Sequence, residues 1–207
     1  MVMDKSARMI SPTARKTRQR IFDGAMECIG QNGYEKTTID DIIFASGVSK
    51  GSIYYHFKDK GEIFRELTGF ILAEHRERLD QVRQLDVGPW EKICCTIVRV
   101  FEKLRWGGAR FVAGMELASL AQRNPAIHEI QVLVNDLYQQ FFSRLISEGN
   151  ERGEFMVEDV EKTSYLLYAL LDGVFLRSIV QPEYASKAHC QFIIESAKKL
   201  LRFKAEE

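Results

Sequence analysis

The chain has 207 residues, of which 45% are hydrophobic, so it can bury the core of one large domain or two small ones. With 14 Gly and 4 Pro, its composition favours an all-α protein over a β-sandwich or barrel. The net charge of zero argues against a generic polyanion binder, but residues 1–60 hold ten Lys and Arg against seven Asp and Glu. A basic N-terminal part beside an acidic remainder is typical of a nucleic-acid module joined to a second module.

Apolar residues recur at helical spacing along almost the whole chain. The spacing predicts helices at about residues 13–31, 39–45, 50–56, 60–84 and 89–103, a sixth ending near 123, and three more at about 125–149, 160–180 and 183–204. We therefore expect an all-α fold of about nine helices.

The second and third helices have clear boundaries. Thr38 is a good N-cap, and Asp41 three residues later completes a variant of the capping box. Gly47 ends the second helix and Ser49 caps the third. Two short helices joined by a Gly-containing turn are the signature of a helix-turn-helix, which enters a DNA groove.

The third helix also carries an unusual surface. Val48, Ile53 and Phe57 supply its buried side, while polar and aromatic residues cluster on the other. Such residues can donate to phosphates, stack, or reach base edges. The alternative is a solvated polar turn with exposed tyrosines. The predicted DNA contacts are Thr38, Ser46, Lys50, Gly51, Ser52, Tyr54, Tyr55, His56 and Lys60.

These residues carry a family resemblance. The runs TTIDDI at residues 37–42 and ASGVSKGSIYYHFKDK at residues 45–60 resemble the DNA-binding domain of tetracycline-repressor (TetR) family regulators. Residues 20–34 match as well, including the Gly33-Tyr34 ending of the first helix. The resemblance implies a flexible basic arm at 1–12, a helix-turn-helix domain at 13–59, and a ligand-binding and dimerisation domain at 60–207.

The resemblance also implies roles for individual residues. Tyr55 and His56 match a pair that contacts phosphate, and Thr38 and Lys60 are expected to hold backbone phosphates. Base edges are expected to be read by Lys50 and Ser52. The basic residues at 15–20 are expected to flank the DNA electrostatically.

The last two helices are candidates for a homodimer interface. Residues 160–180 are apolar nearly all round, so this helix needs two partners, its own core and a second subunit. The alternative is that both helices finish a monomer core. The resemblance favours the dimer, with a predicted interface of Leu170, Val174, Ala185, His189, Phe192, Ile193 and Leu200. Two-fold symmetry implies a palindromic double-stranded DNA operator.

A ligand pocket has a weaker signal, because aromatic stripes are more often plain core. The candidates are Phe101, Trp106, Phe111, Met115, Glu116, Tyr138, Phe142, Tyr168, Asp172 and Phe175. Glu116 and Asp172 stand among apolar residues and need partners, either an internal salt bridge or a cationic ligand. The motifs Asn124-Pro125 and 171–173 weakly resemble the body of regulators near the betaine-synthesis repressors.

Three further features bear on function class. The cysteines Cys28, Cys94, Cys95 and Cys190 form no CxxC pair, so we expect them reduced and buried, with a redox sensor as the alternative. The four histidines are scattered and no catalytic motif occurs, so we expect no enzyme, metal site or cofactor. The most apolar stretch, 165–180, is too short and too charged to span a bilayer, which indicates a cytoplasmic protein.

We therefore expect a sequence-specific transcriptional regulator, a repressor released from its operator by a small molecule of unknown identity. The ligand is expected to change the spacing of the two DNA-binding heads through the fourth helix. The alternative is an activator, or a DNA-binding regulator of the same fold that needs no ligand.

Overall fold

The computed structural model describes residues 11–106 and 108–203, and every regular element in that part of the chain is a helix. The predicted all-α class is confirmed. The elements are α1 (Pro12–Asn32), α2 (Ile39–Ser46), α3 (Lys50–His56), α4 (Lys60–Arg83), α5 (Pro89–Trp106), α6 (Gly108–Leu120), α7 (Pro125–Glu151), α8 (Val160–Val180), a 3-10 turn (Pro182–Ala185) and α9 (Lys187–Leu201).

Local capping chemistry sets the helix boundaries near the N-terminus. The Ser11 hydroxyl accepts a hydrogen bond from the Ala14 amide, and Pro12 occupies the first turn of α1 rather than preceding the helix. Proline is suited to this position, because the first-turn amides have no partner within the helix.

The last helix begins later than the sequence pattern predicts. Pro182 opens only the 3-10 turn, and Ser186 then caps α9 by accepting from the His189 amide. The predicted start near residue 183 is therefore wrong, because Ser186 is the N-cap and α9 begins only at Lys187.

Two hydrophobic clusters hold the molecule together. The first, which we call the head core, joins Ile21 and Ile29 of α1 to Ile42 of α2 and Ile53 of α3. The same cluster takes in residues of α4 and α6, namely Ile63, Phe64, Leu67, Ala113 and Leu117. The head, α1 to α3, is therefore packed onto α4 and α6 by continuous apolar contact.

The second cluster, the body core, fills the space between α5, α7, α8 and α9. Its fully buried members include Ile97, Phe142, Leu167 and Ala197. The two clusters leave a gap between α4, α5, α6, α7 and α8, and this gap is the cavity described below.

Helix α6 lies directly against α1. A Cβ built on Gly30 of α1 would collide with the backbone carbonyl of Ala109, so only glycine permits this approach. The head therefore lies directly against the cavity wall, to which α1 itself contributes Met26.

Candidate nucleic-acid interface and ligand cavity

The helix-turn-helix has the predicted local geometry. The Thr38 hydroxyl accepts from the Asp41 amide at 3.1 Å, and the Asp41 carboxylate accepts from the Thr38 amide at 2.9 Å, which completes the capping box. Gly47 ends α2 in the left-handed conformation, with φ of 60°. The Ser49 hydroxyl then caps α3 by accepting from the Ser52 amide.

Helix α3 presents polar and aromatic groups outward. Ile53 and Phe57 are buried, whereas Tyr54 is exposed and the Tyr55 side chain is 84% exposed. Lys50 and Gly51 are exposed at the start of the helix, and a Cβ at Gly51 would meet no atom of the chain within 4 Å. The head packing therefore does not require glycine at position 51.

The remaining predicted DNA contacts are partly engaged within the head. The Lys60 ammonium donates to the carbonyls of Tyr34 and Glu35, at 2.9 and 3.0 Å, which leaves one of its three protons free. Lys50 lies 3.3 Å from the Asp40 carboxylate, an exposed pair that adds little stability. Burial, with a contribution from Arg18, lowers the pKa of His56, which disfavours the charged form of its ring.

Ser46 does not reach the surface that the sequence assigns to it. Its side chain is buried, donating to the Ile43 carbonyl and accepting from the Val48 amide. The prediction of Ser46 as a DNA contact is therefore corrected, because the α2–α3 turn uses this hydroxyl for its own closure.

Two of the basic residues of α1 also serve the head itself. Arg20 donates to the carbonyls of Ser46 and Gly47, both at 2.9 Å. Arg18 pairs with Glu66 and lies over the Phe57 ring. These two guanidiniums brace the head, whereas Arg15 and Lys16 are exposed.

Sequence reasoning missed one exposed aromatic residue. Phe44 on α2 is 91% exposed, the largest exposure of any large hydrophobic residue in the described part of the chain. The signal was present, because Phe44 falls off the inward stripe formed by Ile39, Ile42 and Ile43.

The cavity has a volume of about 370 Å³, within the range of small-molecule sites, about 300–1,000 Å³. Five of the predicted ligand residues line it: Met115, Tyr138, Tyr168, Asp172 and Phe175. Phe101 and Phe142 are not in its wall and belong to the body core, which corrects their assignment. The side chains of Trp106 and Phe111 lie outside the described residues.

Glu116 is also absent from the cavity wall. Its carboxylate accepts a hydrogen bond from the Tyr34 backbone amide at 3.2 Å. The partner of this acid is therefore a backbone amide just after α1, rather than the salt bridge or cationic ligand that the sequence suggests.

The polar part of the cavity was missed by sequence reasoning. It contains Glu74, His75 and Arg78 of α4, Arg99 and Lys103 of α5, and Arg110 of α6. The His75 ring lies 2.9 Å from the Tyr138 hydroxyl, and burial lowers the pKa of His75 to about 3. The Tyr138 ring in turn stacks on Tyr168, with ring centres 5.0 Å apart.

Arg110 connects this cavity to the head. Its guanidinium contacts Asp23 of α1 at 2.5 Å and Glu74 of α4 at 3.0 Å. Asp172, by contrast, has no ion-pair partner in the parts of the chain that the structure describes, and burial raises its pKa to about 6.

Helix α8 shows a third surface. Leu167, Leu171 and Val174 pack into the body core, and the opposite side exposes an apolar face. This face comprises Tyr165, Leu166, Ala169, Gly173, Leu176 and Val180. On the neighbouring α9, Phe192 is 66% exposed.

The predicted dimer residues divide between core and surface. Val174, Ala185 and Ile193 are buried by the chain's own core, so they present almost no surface to a second subunit and their assignment is corrected. Leu170, His189 and Leu200 are partly buried, and Phe192 is exposed.

The expectation that the apolar stretch is too short to cross a membrane needs correction. Among the described residues, Val160–Val180 is the one helix that is long and apolar enough by length and composition. A single such helix is weak evidence for a span, because core helices of soluble proteins pass the same test.

The four cysteines are free, but only Cys28 is buried, so the expectation that all of them are buried is corrected for the partly buried Cys94, Cys95 and Cys190. Burial raises the pKa of Cys94 to about 11, and the pKa values of Cys28 and Cys190 are also raised by burial. No group of three or more His, Cys, Asp or Glu suited to a metal occurs within residues 11–106 and 108–203.

The fold and the α2–α3 geometry define a helix-turn-helix DNA-binding regulator. Comparison with known proteins agrees: residues 21–67 match the family model of bacterial regulatory proteins of the tetR family. Residues 108–199 match the C-terminal model of BetI-type transcriptional repressors. The chain belongs to the TetR family, which confirms the resemblance seen in the sequence.

Individual relatives are similar along most of their length. The chain is 28% identical to the uncharacterised HTH-type transcriptional regulator YfiR of Bacillus subtilis, over 90% of this chain and 91% of the relative. A TetR regulator from Haloarcula marismortui superposes with a TM-score of 0.77 at 17% identity, covering 91% of this chain and 97% of that one. A transcriptional regulator from Saccharomonospora viridis in complex with choline gives 0.74 at 22% identity, covering 89% and 96%.

These relatives are transcriptional regulators and not enzymes. The chain is accordingly a DNA-binding transcriptional regulator.

Proposed function

We propose that the chain is a cytoplasmic homodimeric repressor that leaves a palindromic operator when a small molecule fills its cavity. The proposed ligand response rests on the position of Arg110. This residue lines the cavity and pairs with both Asp23 of the head and Glu74 of α4. A ligand that displaces Arg110 changes how α1 is held against α4. A coupling of about 1–3 kcal/mol lowers operator affinity roughly 5–150-fold.

Two further contacts indicate that α6, in addition to α4, connects the cavity to the head. Glu116 holds the Tyr34 amide at the end of α1, and Gly30 lies against the Ala109 backbone. Because α6 also supplies Met115 to the cavity wall, one rigid helix touches both the ligand space and the head.

The residues exposed on α3 are the main support for the proposed DNA contacts. Lys50, Gly51, Tyr54 and Tyr55 are exposed, and Ser52 and His56 are partly exposed on the same short helix. Thr38 stands exposed at the N-terminus of α2, and Lys60 keeps one free proton for a phosphate. Phe44 joins this set as an exposed ring that the head core does not use.

The exposed apolar face of α8, with Phe192 of α9, supports the dimer. Contiguous apolar surface of this kind marks an interaction site, and a two-fold dimer is self-complementary across one such face. Two-fold pairing also supplies two copies of α3, which reach successive major grooves when they are about 34–36 Å apart.

The DNA-binding step is tested by fluorescence anisotropy with labelled DNA from upstream of the protein's own gene, against a shuffled sequence of equal length. Wild-type protein is expected to bind the upstream DNA more tightly. Tyr55→Ala is expected to weaken that binding at least about tenfold, since it removes a hydrogen bond to a charged phosphate. Its Tm should not change, because the side chain is 84% exposed.

Arg123→Ala serves as the control, because this exposed basic residue follows α6 and is not among the proposed DNA contacts. Equal affinity of the wild type for both DNA sequences would contradict the proposed sequence-specific binding. A Tyr55→Ala variant that binds like the wild type would remove that residue from the interface.

The dimer is tested by placing a charge on the α8 face. Leu176→Asp is expected to shift the sedimentation coefficient from dimer to monomer and to lower operator affinity more than about 100-fold, because one head reads only half a site. Leu133→Asp is the matched control: this leucine is equally an exposed apolar residue, but it lies on α7. A Leu176→Asp dimer as stable as the wild type would contradict the proposed interface.

Repression is favoured by the BetI-type repressor model that matches residues 108–199. Response to a small molecule is favoured by the solved relative that holds choline. A reporter fused to the bound promoter should rise when the gene is deleted. A reporter that falls would instead support the activator of the same fold.

A further inference from the structure

The charged groups that line the cavity do not balance. Arg110 and Glu74 pair with each other, which leaves three basic residues, Arg78, Arg99 and Lys103. None of the three has an ion-pair partner within the described parts of the chain. Asp172 is the one carboxylate of the described wall that is also unpaired. An otherwise apolar cavity therefore carries an excess of positive charge.

Arg78 shows the imbalance most directly. Its Nε donates to the Glu74 carbonyl at 3.0 Å, but its Nη2 is buried and has no hydrogen-bond partner among the residues that the structure describes. Leaving a buried charged donor unpaired is costly, so native proteins rarely retain one without a use. Arg78 thus has an unmet requirement for an acceptor.

Lys103 of α5 lines the same cavity as Arg78 and has no ion-pair partner among the described residues. Its side chain is exposed, yet the surrounding protein lowers its pKa to about 8. Desolvation is the main cause, and the neighbouring Arg78 and Arg110 add repulsion that Glu74 only partly offsets. The ammonium would be stabilised by any negative charge that enters.

The rest of the wall indicates the body of the ligand. Apolar side chains from α4, α5, α6, α7 and α8 dominate it, including Leu79, Val100, Met115, Val134 and Phe175. Asp172 forms no ion pair with these basic groups among the described residues, and burial raises its pKa to about 6. Within residues 11–106 and 108–203, no carboxylate supplies the negative charge that these groups lack.

We propose that the cavity binds an organic anion, a carboxylate on an apolar body, whose oxygens are held between Arg78 and Lys103. A planar guanidinium matches the two oxygens of a carboxylate, and an ammonium adds a point charge. The proposal rests on the proposed function, because it names the chemical class of the effector. It differs from the choline-bound relative, whose ligand is a cation.

The test is isothermal titration calorimetry of the full-length protein with probes that differ only in head-group charge. Decanoate is the anion, decanol the neutral analogue and decyltrimethylammonium the cation, with 1-naphthoate as a second anion of different shape. We expect saturable binding of at least one of the two anions, and weaker or no binding of the neutral and cationic probes. Operator affinity is measured with and without each probe.

Arg78→Met and Lys103→Met are each expected to weaken anion binding at least about tenfold, since each removes one charge-assisted hydrogen bond. The Tm of the ligand-free variants should stay equal or rise, because a methionine fills the space without an unpaired charge. Arg76→Met is the control, since Arg76 is an exposed basic residue two positions away on α4. The two variants are independent, so a failure of one to fold leaves the other decisive.

The outcomes separate the ligand class from the proposed function. Anion binding that depends on Arg78 or Lys103 but leaves operator affinity unchanged supports the anion site and overturns ligand-controlled release. Tighter binding of decyltrimethylammonium, or anion affinity that neither variant alters, overturns the anion site while DNA binding and dimerisation stand. No saturable binding by either anion overturns it as well.

Discussion

The head and the cavity use their basic residues in opposite ways. In the head, Arg20 donates to two turn carbonyls, Lys60 donates to two more, and Arg18 pairs with Glu66. In the cavity, Arg78 and Lys103 have no carboxylate partner within the described residues. The same side-chain types therefore stabilise the fold in one region and destabilise the ligand-free state in the other.

This difference fits a DNA-binding head that keeps one conformation and a cavity that responds to a ligand. Satisfied cations hold the α2–α3 turn in one conformation, which a DNA-reading surface requires. Unsatisfied cations leave a site whose free energy falls when a counter-ion arrives, and only such differential binding can shift an equilibrium between two states. Arg110 belongs to both regions, because it pairs with Asp23 of the head and lines the cavity.

The largest expected effect on stability comes from replacing a lysine by methionine, once in the head and once in the cavity. Lys60→Met should lower the free energy of unfolding by about 1–2 kcal/mol, because two charge-assisted hydrogen bonds to carbonyls are lost from a half-buried site. Lys103→Met should leave it unchanged or raise it by up to about 1 kcal/mol, because it removes an unpaired cation whose cost is reduced by its exposure to solvent. Urea unfolding of both variants measures the difference.

The pH dependence of the stability difference between Lys103→Met and the wild type is a control for this prediction. The folded pKa of Lys103, about 8, lies below the unfolded value of 10.5, so the unfolded chain binds more protons between these pH values. The penalty from Lys103 is full below pH 8 and disappears as the pH rises towards 10.5. Desolvation is the main cause of this penalty, and Arg78, Glu74 and Arg110 modify it. The other titratable or charged residues that face the cavity are His75, Arg99 and Asp172. An advantage of Lys103→Met that grew with pH would contradict this origin.

The smallest expected effect on stability concerns the residue that joins the two regions. Arg110→Met should cost roughly 1 kcal/mol or less, because both ion pairs are partly exposed to solvent. Its effect on regulation should be larger: operator binding should persist but no longer respond to an anion that wild-type protein senses. Anisotropy with and without the anion measures this uncoupling. Arg99→Met, which alters the same wall without touching the head, should keep the response, and equal uncoupling by both variants would contradict the link.

Much of the head could be predicted from the sequence alone. The Thr38 and Ser49 caps, the break at Gly47 and the buried stripe of Ile42, Ile53 and Phe57 all follow from local chemistry and helical spacing. These features depend on residues a few positions apart, so one sequence contains the information. Ser46 was misplaced because a hydroxyl in a turn looks the same whether it faces solvent or closes the turn.

The cavity could be predicted only in part. Tyr138, Tyr168, Asp172 and Phe175 were found because aromatic and acidic residues stand out on apolar helices. Phe142 shows the limit, since an aromatic stripe does not reveal which rings face a void and which fill the core. The basic residues were missed because Arg78 and Lys103 look like ordinary charges of solvated helix faces.

The sequence by itself determined the helices, their order, the DNA-reading motif and the family. Only the tertiary structure decided which residues from distant parts of the chain meet: Arg110 with Asp23, Glu116 with the Tyr34 amide, and the apolar face of α8 left without a partner. The physical reason is that capping and periodicity act over one or two helical turns, whereas pairing and burial of a charge depend on how whole helices pack.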